Sequence, residues 1–155
     1  MKKIGVGIVG CGLVSGWHAP GYLSSPAKCE ILAVADVDEE AAKKRAGEWG
    51  AKHWFKDYND LLKRPEVDAV DVCLPHDLHA PVAVAAAEAG KHVIVDKPIA
   101  RTVREADEMI RAARRSNVKL MISHNERFLL QHQKAKELID QGVVGDIALA
   151  TATIY

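Results

Sequence analysis

The stretch GIVGCGLVS, residues 7–15, sets three glycines, Gly7, Gly10 and Gly12, at the end of an apolar run. A strand that turns tightly into a helix needs small residues for packing alone, whereas a turn whose backbone must approach a ligand needs them to clear space. Gly10 and Gly12 form G-x-G, and Ser15 takes the third position of G-x-G-x-x-G, where a small residue suffices for close helix-to-strand packing. On the ligand reading, Gly10 permits the turn and Gly12 lets the backbone approach a pyrophosphate. The helix start at Leu13 and Val14 then offers free N–H groups to its charge. The motif by itself leaves both readings open.

Outward from this turn, apolar runs of strand length alternate with segments of helical period, the pattern of βαβ units and a parallel sheet buried on both faces. Strands are predicted over residues 4–9, 31–35, 69–74, 92–95 and 119–122, with a weaker one near His53. Five helices lie between them. The first starts at the glycine turn and is over by Pro26. The second is capped by Asp38 and closed by Gly50, and a short third starts at Asp57. The fourth, LHAPVAVAAAEAG, ends at Gly90; the fifth opens on a Thr102–Glu105 capping box and repeats Ala106, Met109, Ile110 and Ala113 on one face. The expected fold is a doubly wound α/β Rossmann domain over residues 1–123. Residues 126–145 read as helical and DIALATATIY, residues 146–155, alternates as a strand would. A strand left without a partner suggests that residues 124–155 are the linking helix and first strand of a second α/β domain, cut off near its start.

At 155 residues the chain is long enough for an apolar core without staples. Cys11, Cys29 and Cys73 are widely spaced in or beside apolar runs, as reduced thiols of a cytoplasmic protein would be. Basic and acidic residues balance at 21 each, and the clusters Lys43-Lys44-Arg45 and Arg114-Arg115 read as solvated helix faces. Neither a nucleic-acid nor a membrane partner is expected, and the short, Gly-broken N-terminal run does not read as a signal peptide. His18, His53, His92 and His132 lack metal-ligand spacing and read as structural, so no metal site is expected. Trp17, Trp49, Trp54 and Phe128 read as packing.

Asp36 ends the second apolar run 24 positions after Gly12, close to the spacing of about 20 at which an acid reaches the adenosine ribose. A carboxylate there accepts both ribose hydroxyls and repels a 2′-phosphate. No arginine follows it, so NAD is favoured over NADP. The bland alternative, that Asp36 caps the next helix, is weakened by Asp38. In GKHVIVDKP, residues 90–98, Asp96, Lys97 and Pro98 stand at the carboxyl end of a buried strand, the edge where such folds bind ligands. Proline could aim Lys97 across the crevice, Asp96 could orient it, and its ammonium could hold a substrate oxygen or move a proton. A surface lysine paired with its neighbour remains the alternative.

GIVGCG, AVAD, LPHDLHAPVAVAAAEAGKHVIVDKP and HNERF, in that order and spacing, resemble the N-terminal half of the glucose-fructose oxidoreductase and inositol dehydrogenase family (Gfo/Idh/MocA). The resemblance covers nearly the whole chain. It implies a glycine turn and acid that bind NAD(P), and a catalytic-site lysine, Lys97, that contacts substrate and the nicotinamide region beside a rigid Pro98. Asp96 replaces the usual glutamate and loses one methylene of reach. Pro75 and His79 match a P-x-x-x-H pattern, with His76 where asparagine or threonine is common, and an N-x-R-F stretch puts His124 and Asn125 near the nicotinamide. The expected cofactor-binding set is thus Gly10, Gly12, Leu13, Val14, Asp36, Pro75, His79, Asp96, Lys97, Pro98 and Asn125.

The implied full-length enzyme transfers a hydride between the nicotinamide and a sugar, inositol or other hydroxylated substrate. It is expected to be a cytoplasmic homo-oligomer, with the isolated chain inactive. Two rivals remain: a non-catalytic NAD-binding sensor, and an S-adenosylmethionine-dependent methyltransferase, which would not need Lys97.

Overall fold

The computed structural model describes residues 2–153, which divide into two compact units after Ser123. In the first, six strands, β1 (Ile4–Val9), β2 (Cys29–Ala35), β3 (His53–Phe55), β4 (Ala69–Val72), β5 (His92–Val95) and β6 (Leu120–Ile122), form one sheet. Its order is β3-β2-β1-β4-β5-β6, with every pair parallel. Five helices connect them: α1 (Ser15–Leu23), α2 (Glu39–Trp49), α3 (Tyr58–Leu62), α4 (His76–Glu88) and α5 (Val103–Arg115). This is the doubly wound Rossmann architecture expected from the alternating pattern.

Local chemistry sets the helix boundaries. Asp38 Oδ1 accepts from the N–H groups of Glu40 and Ala41 at 3.0 and 3.2 Å, satisfying donors that the first turn of α2 leaves free. Gly50 closes α2 at φ 69°, the left-handed region where a side chain would be strained. Thr102 Oγ1 accepts from the Glu105 N–H at 3.2 Å, but Glu105 returns its bond to the N–H of Arg101 rather than to Thr102.

Two apolar clusters fill the layers. One joins Val6, Ile8, Ile31 and Val34 to Ala19 of α1 and Ala42, Ala46 and Trp49 of α2. The other joins Val70, Val72, Val93 and Val95 to Leu61 of α3, the alanine face of α4 and Met109 of α5. Burying each large side chain here contributes about 1.5–3 kcal/mol. Small alanines on α2 and α4 let both helices lie close to the strands.

The second unit differs from expectation. A 3-10 helix over Asn125–Phe128 is followed by α6 (Leu130–Asp140), because Leu129 is extended (φ −66°, ψ 137°) and interrupts the helical run. The strand expected over residues 146–155 is absent through residue 153, and Ile154 and Tyr155 lie outside the described residues. A strand exists only where a neighbour accepts its ladder hydrogen bonds, and this unit contains none among the described residues. Of the aromatic residues expected to pack, Trp49 is buried, whereas Trp17 is 71% and Phe128 61% exposed, and Trp54 lies under the Lys43 ammonium. No helix of the described residues is long and apolar enough to cross a membrane.

Candidate functional site

The strand sequence runs outward in opposite directions from β1 and from β4, so the crevice beyond their carboxyl ends is the switch point where open α/β sheets bind ligands. A groove of about 540 Å³ lies there, within the range of small-molecule sites. Gly10, Gly12, Asp36 and Val37 line it together with Tyr58, Leu74, Pro75 and Leu78, so that apolar walls meet a few polar groups.

The three glycines of the opening stretch serve different ends. A Cβ on Gly7 would stand 2.6 Å from a Leu61 methyl, so this glycine makes room for α3. Gly10 has φ +97°, and a Cβ there would meet the Cys73 carbonyl oxygen at 2.2 Å. Gly10 therefore serves the turn. At Gly12 no atom beyond its chain neighbours lies within 4 Å of where a Cβ would be, so the fold does not need this glycine for packing. Its bare backbone faces the groove, as close approach of a ligand requires. Leu13, which is exposed, and Val14 lead into α1, whose start carries no side-chain cap.

Asp36 closes onto the same turn. Its Oδ2 accepts from the Cys11 N–H at 2.7 Å and its Oδ1 from the Asp38 N–H at 2.9 Å. It does not cap α2, which Asp38 does, and each oxygen keeps lone pairs for a further donor in the groove. Burial and the Asp36 charge push the Cys11 thiol up to about 12, so it stays protonated. Two residues here escaped the sequence reading. Lys56, just after β3, lines the groove beside Asp36 and pairs with Glu39 at 3.4 Å. Arg45, read as part of a solvated face, instead reaches the turn and donates to the carbonyls of Cys11 and Gly12.

At the end of β5, Lys97 is exposed and its bond to Pro98 is cis. Asp96, read as able to orient Lys97, faces His18 instead, with Oδ1 3.6 Å from Nε2. His79 is also corrected. It is fully buried, with Nδ1 2.8 Å from the Pro98 carbonyl oxygen and Nε2 2.9 Å from that of Leu74. No ring nitrogen is left for a ligand, so His79 ties the turn after β4, with Pro75, to the turn that carries Lys97. Asn125 opens the 3-10 helix of the second unit and is exposed there.

A buried polar cluster was also missed. Asp71, in the middle of β4 and fully buried, accepts from Tyr22 Oη at 2.8 Å and lies 2.9 Å from His18 Nδ1, with Cys73 Sγ at 3.6 Å. The hydrogen bond to Asp71 raises the His18 pKa against the opposing effect of burial. Burial and the Asp71 charge push the Tyr22 and Cys73 groups up, keeping both protonated. The acid inside the apolar run AVDVCL was the available signal, because a carboxylate in a central strand must find donors.

A parallel sheet with a glycine turn, an uncapped helix start and an acid closing on the turn defines a dinucleotide-binding domain. Residues 4–124 match the family described as "Oxidoreductase family, NAD-binding Rossmann fold" (GFO_IDH_MocA), and the chain belongs to that family. It is 32% identical over 154 residues to levoglucosan dehydrogenase of Pseudarthrobacter phenanthrenivorans, covering 95% of this chain and 40% of that protein. To myo-inositol 2-dehydrogenase of Thermotoga maritima it is 31% identical, covering 90% of this chain and 42% of that one. It also superposes, with TM-score 0.88 and 30% identity, on the WlbA dehydrogenase of Bordetella pertussis solved with NADH and UDP-GlcNAcA, over 93% of this chain and 44% of that one. The chain thus spans about two fifths of the length of these relatives. The chain is an NAD-binding domain, and the methyltransferase alternative finds no support.

Proposed function

We propose that this chain supplies the NAD-binding half of a dehydrogenase that moves a hydride between the nicotinamide and a hydroxyl-bearing carbon of a sugar or inositol. The observation that carries the reading is the closure of Asp36 onto the glycine turn beside the uncrowded backbone of Gly12. In it the adenosine ribose sits against Asp36, the pyrophosphate against residues 12–14, and the adenine among Tyr58, Leu74 and Leu78. The extended cofactor then runs along the carboxyl edge toward Lys97, whose ammonium holds the substrate oxygen or takes part in its proton transfer. Pro75, Asp96 and Pro98 shape that edge, and Asn125 is kept on resemblance alone. Residues 124–155 are the start of the substrate domain in this reading. The named activities of the relatives, on levoglucosan and myo-inositol, support a polyol or sugar substrate, and three unpaired thiols support a cytoplasmic setting.

Calorimetric titration tests the first half: the chain is expected to bind NADH and to turn over no polyol by itself, and absence of binding overturns the reading. In the full-length enzyme Lys97→Ala is expected to lower kcat by about 10²-fold or more with NAD affinity changed far less. An unaltered kcat would reduce Lys97 to a surface lysine.

A further inference from the structure

The guanidinium of Arg45 crosses from α2 to the glycine turn, with Nε 3.3 Å from the Cys11 carbonyl oxygen and Nη2 3.3 Å from that of Gly12. Glu48 holds its remaining edge at 2.7 Å, and the Trp49 ring lies 5.1 Å beneath it. The missing side chain of Gly16 on α1 allows this approach, since a Cβ there would stand 3.3 Å from Nη2. The contact is bidentate, anchored on both sides, and made to the turn whose Gly12 lines the groove.

Its consequence follows from peptide geometry. Within one planar trans unit the C=O and N–H point in opposite directions. The carbonyls of Cys11 and Gly12 share their units with the N–H groups of Gly12 and Leu13. Drawing both carbonyls onto one guanidinium turns both N–H groups away from it, while Asp36 takes up the preceding N–H, that of Cys11, at 2.7 Å. Two side chains thus set the direction of three successive peptide units, and two N–H groups remain free for an anion. We propose that Arg45 is a positioning residue that presents the N–H groups of Gly12 and Leu13 to the pyrophosphate of the bound dinucleotide without touching it. A lysine cannot replace it, because a point charge does not span two carbonyls as a planar fork does. The inference rests on the NAD-binding reading.

The test compares three ligands on the 155-residue chain: NADH, ADP-ribose and adenosine, the last having the nucleoside but no pyrophosphate. Arg45→Met keeps most of the apolar stem and removes the guanidinium, with its donors and its contact with the Trp49 ring. It is expected to weaken NADH and ADP-ribose by about tenfold, the loss of about one hydrogen bond's net worth, and adenosine by less than about twofold. Arg45→Lys falls between. Should Arg45→Met not fold, Gly16→Ala, whose methyl group would stand 3.3 Å from Nη2 and displace it slightly, is expected to show the same contrast at a smaller size. Equal weakening of all three ligands would mean that Arg45 only braces α2 against α1, and unchanged affinities would mean that the turn holds its shape unaided; either overturns the proposal. A wild-type chain that binds neither NADH nor ADP-ribose would instead overturn the NAD reading.

Discussion

The two ends of the sheet use the same residue types in opposite ways. At the amino ends, polar groups are consumed by the protein itself. Asp68 accepts from Lys2 Nζ at 2.8 Å and from the Gly5 N–H at 2.9 Å, and Lys91, only 8% exposed, donates to the carbonyls of Arg64 and Val67 at 2.8 Å each. At the carboxyl ends, Asp36 and Lys56 line an open groove and Lys97 stands exposed. Lys91 and Lys97 flank one four-residue strand, β5. The first closes backbone bonds that the fold needs; the second is left available. Lys91, spent on backbone, stabilises the fold, and Lys97, held at the crevice without such a partner among the described residues, can act on a ligand.

Within the carboxyl edge itself, substituting two glycines of one turn separates what serves the fold from what serves the ligand most sharply. Gly10→Val forces a branched residue to φ +97° and into the Cys73 carbonyl, and the expected loss is about 4 kcal/mol or more, enough to unfold a marginal domain. At Gly12 a Cβ meets no atom beyond its own chain neighbours within 4 Å, so the melting temperature of Gly12→Val should stay near wild type while NADH affinity falls by about 10²-fold as the side chain fills the pyrophosphate site. Thermal unfolding and calorimetry on the pair check this. A Gly12→Val chain that binds NADH normally would break the division.

At the opposite edge, Lys91→Met should destabilise by about 2 kcal/mol, because two backbone carbonyls lose their donor. The loss is moderated because burial already pulls the Lys91 pKa down, so removing its charge relieves some desolvation. Urea unfolding measures it. NADH affinity should not change; if it does, the two edges are coupled and the comparison fails.

What was legible in the sequence was local. Asp38, Gly50 and Thr102 act within a few residues of their own helix, and the glycine turn announces itself by spacing. What was not legible joins residues far apart in the chain: His18 with Asp71 across 53 positions, Arg45 with Cys11 across 34, His79 with Pro98 across 19. Side-chain type alone does not reveal such partners. Arg45 lies in a basic run that helical spacing assigns to solvent, yet the geometry of α2 against the turn brings it inward. The terminal strand failed for the converse reason: its alternation was correct local evidence, but a strand also needs a neighbour.

Cofactor choice sharpens the comparison further, since Lys56 is a carboxyl-edge cation that the sequence near Asp36 did not disclose. Asp36→Ser should weaken NAD by about tenfold, through loss of a charge-assisted bond to ribose. It also removes the repulsion of a 2′-phosphate, so NADP should gain affinity. Lys56→Met added to Asp36→Ser should cancel part of that gain. If NADP binding in the double variant equals that in the single one, Lys56 serves only its ion pair with Glu39.

The smallest expected effect lies where the comparison has an exception, because the His18–Asp71 pair is at the carboxyl half of the sheet yet is consumed by the fold. His18 meets Asp71, Cys73 and Asp96 from β4 and the end of β5, and its own helix brings Tyr22 to the same carboxylate. The His18 pKa is raised in the folded chain above its ordinary 6.5, mainly by the hydrogen bond to Asp71. The folded state therefore binds this proton more tightly than the unfolded one. The added stability is fully present below the unfolded value and is lost as pH rises through the folded one. Comparing wild type with His18→Gln by urea unfolding should show a gap that is largest below the ordinary histidine value and narrows as pH rises through the raised folded one. A gap independent of pH would mean that His18 holds Asp71 as a neutral donor and that its titration adds nothing to the fold.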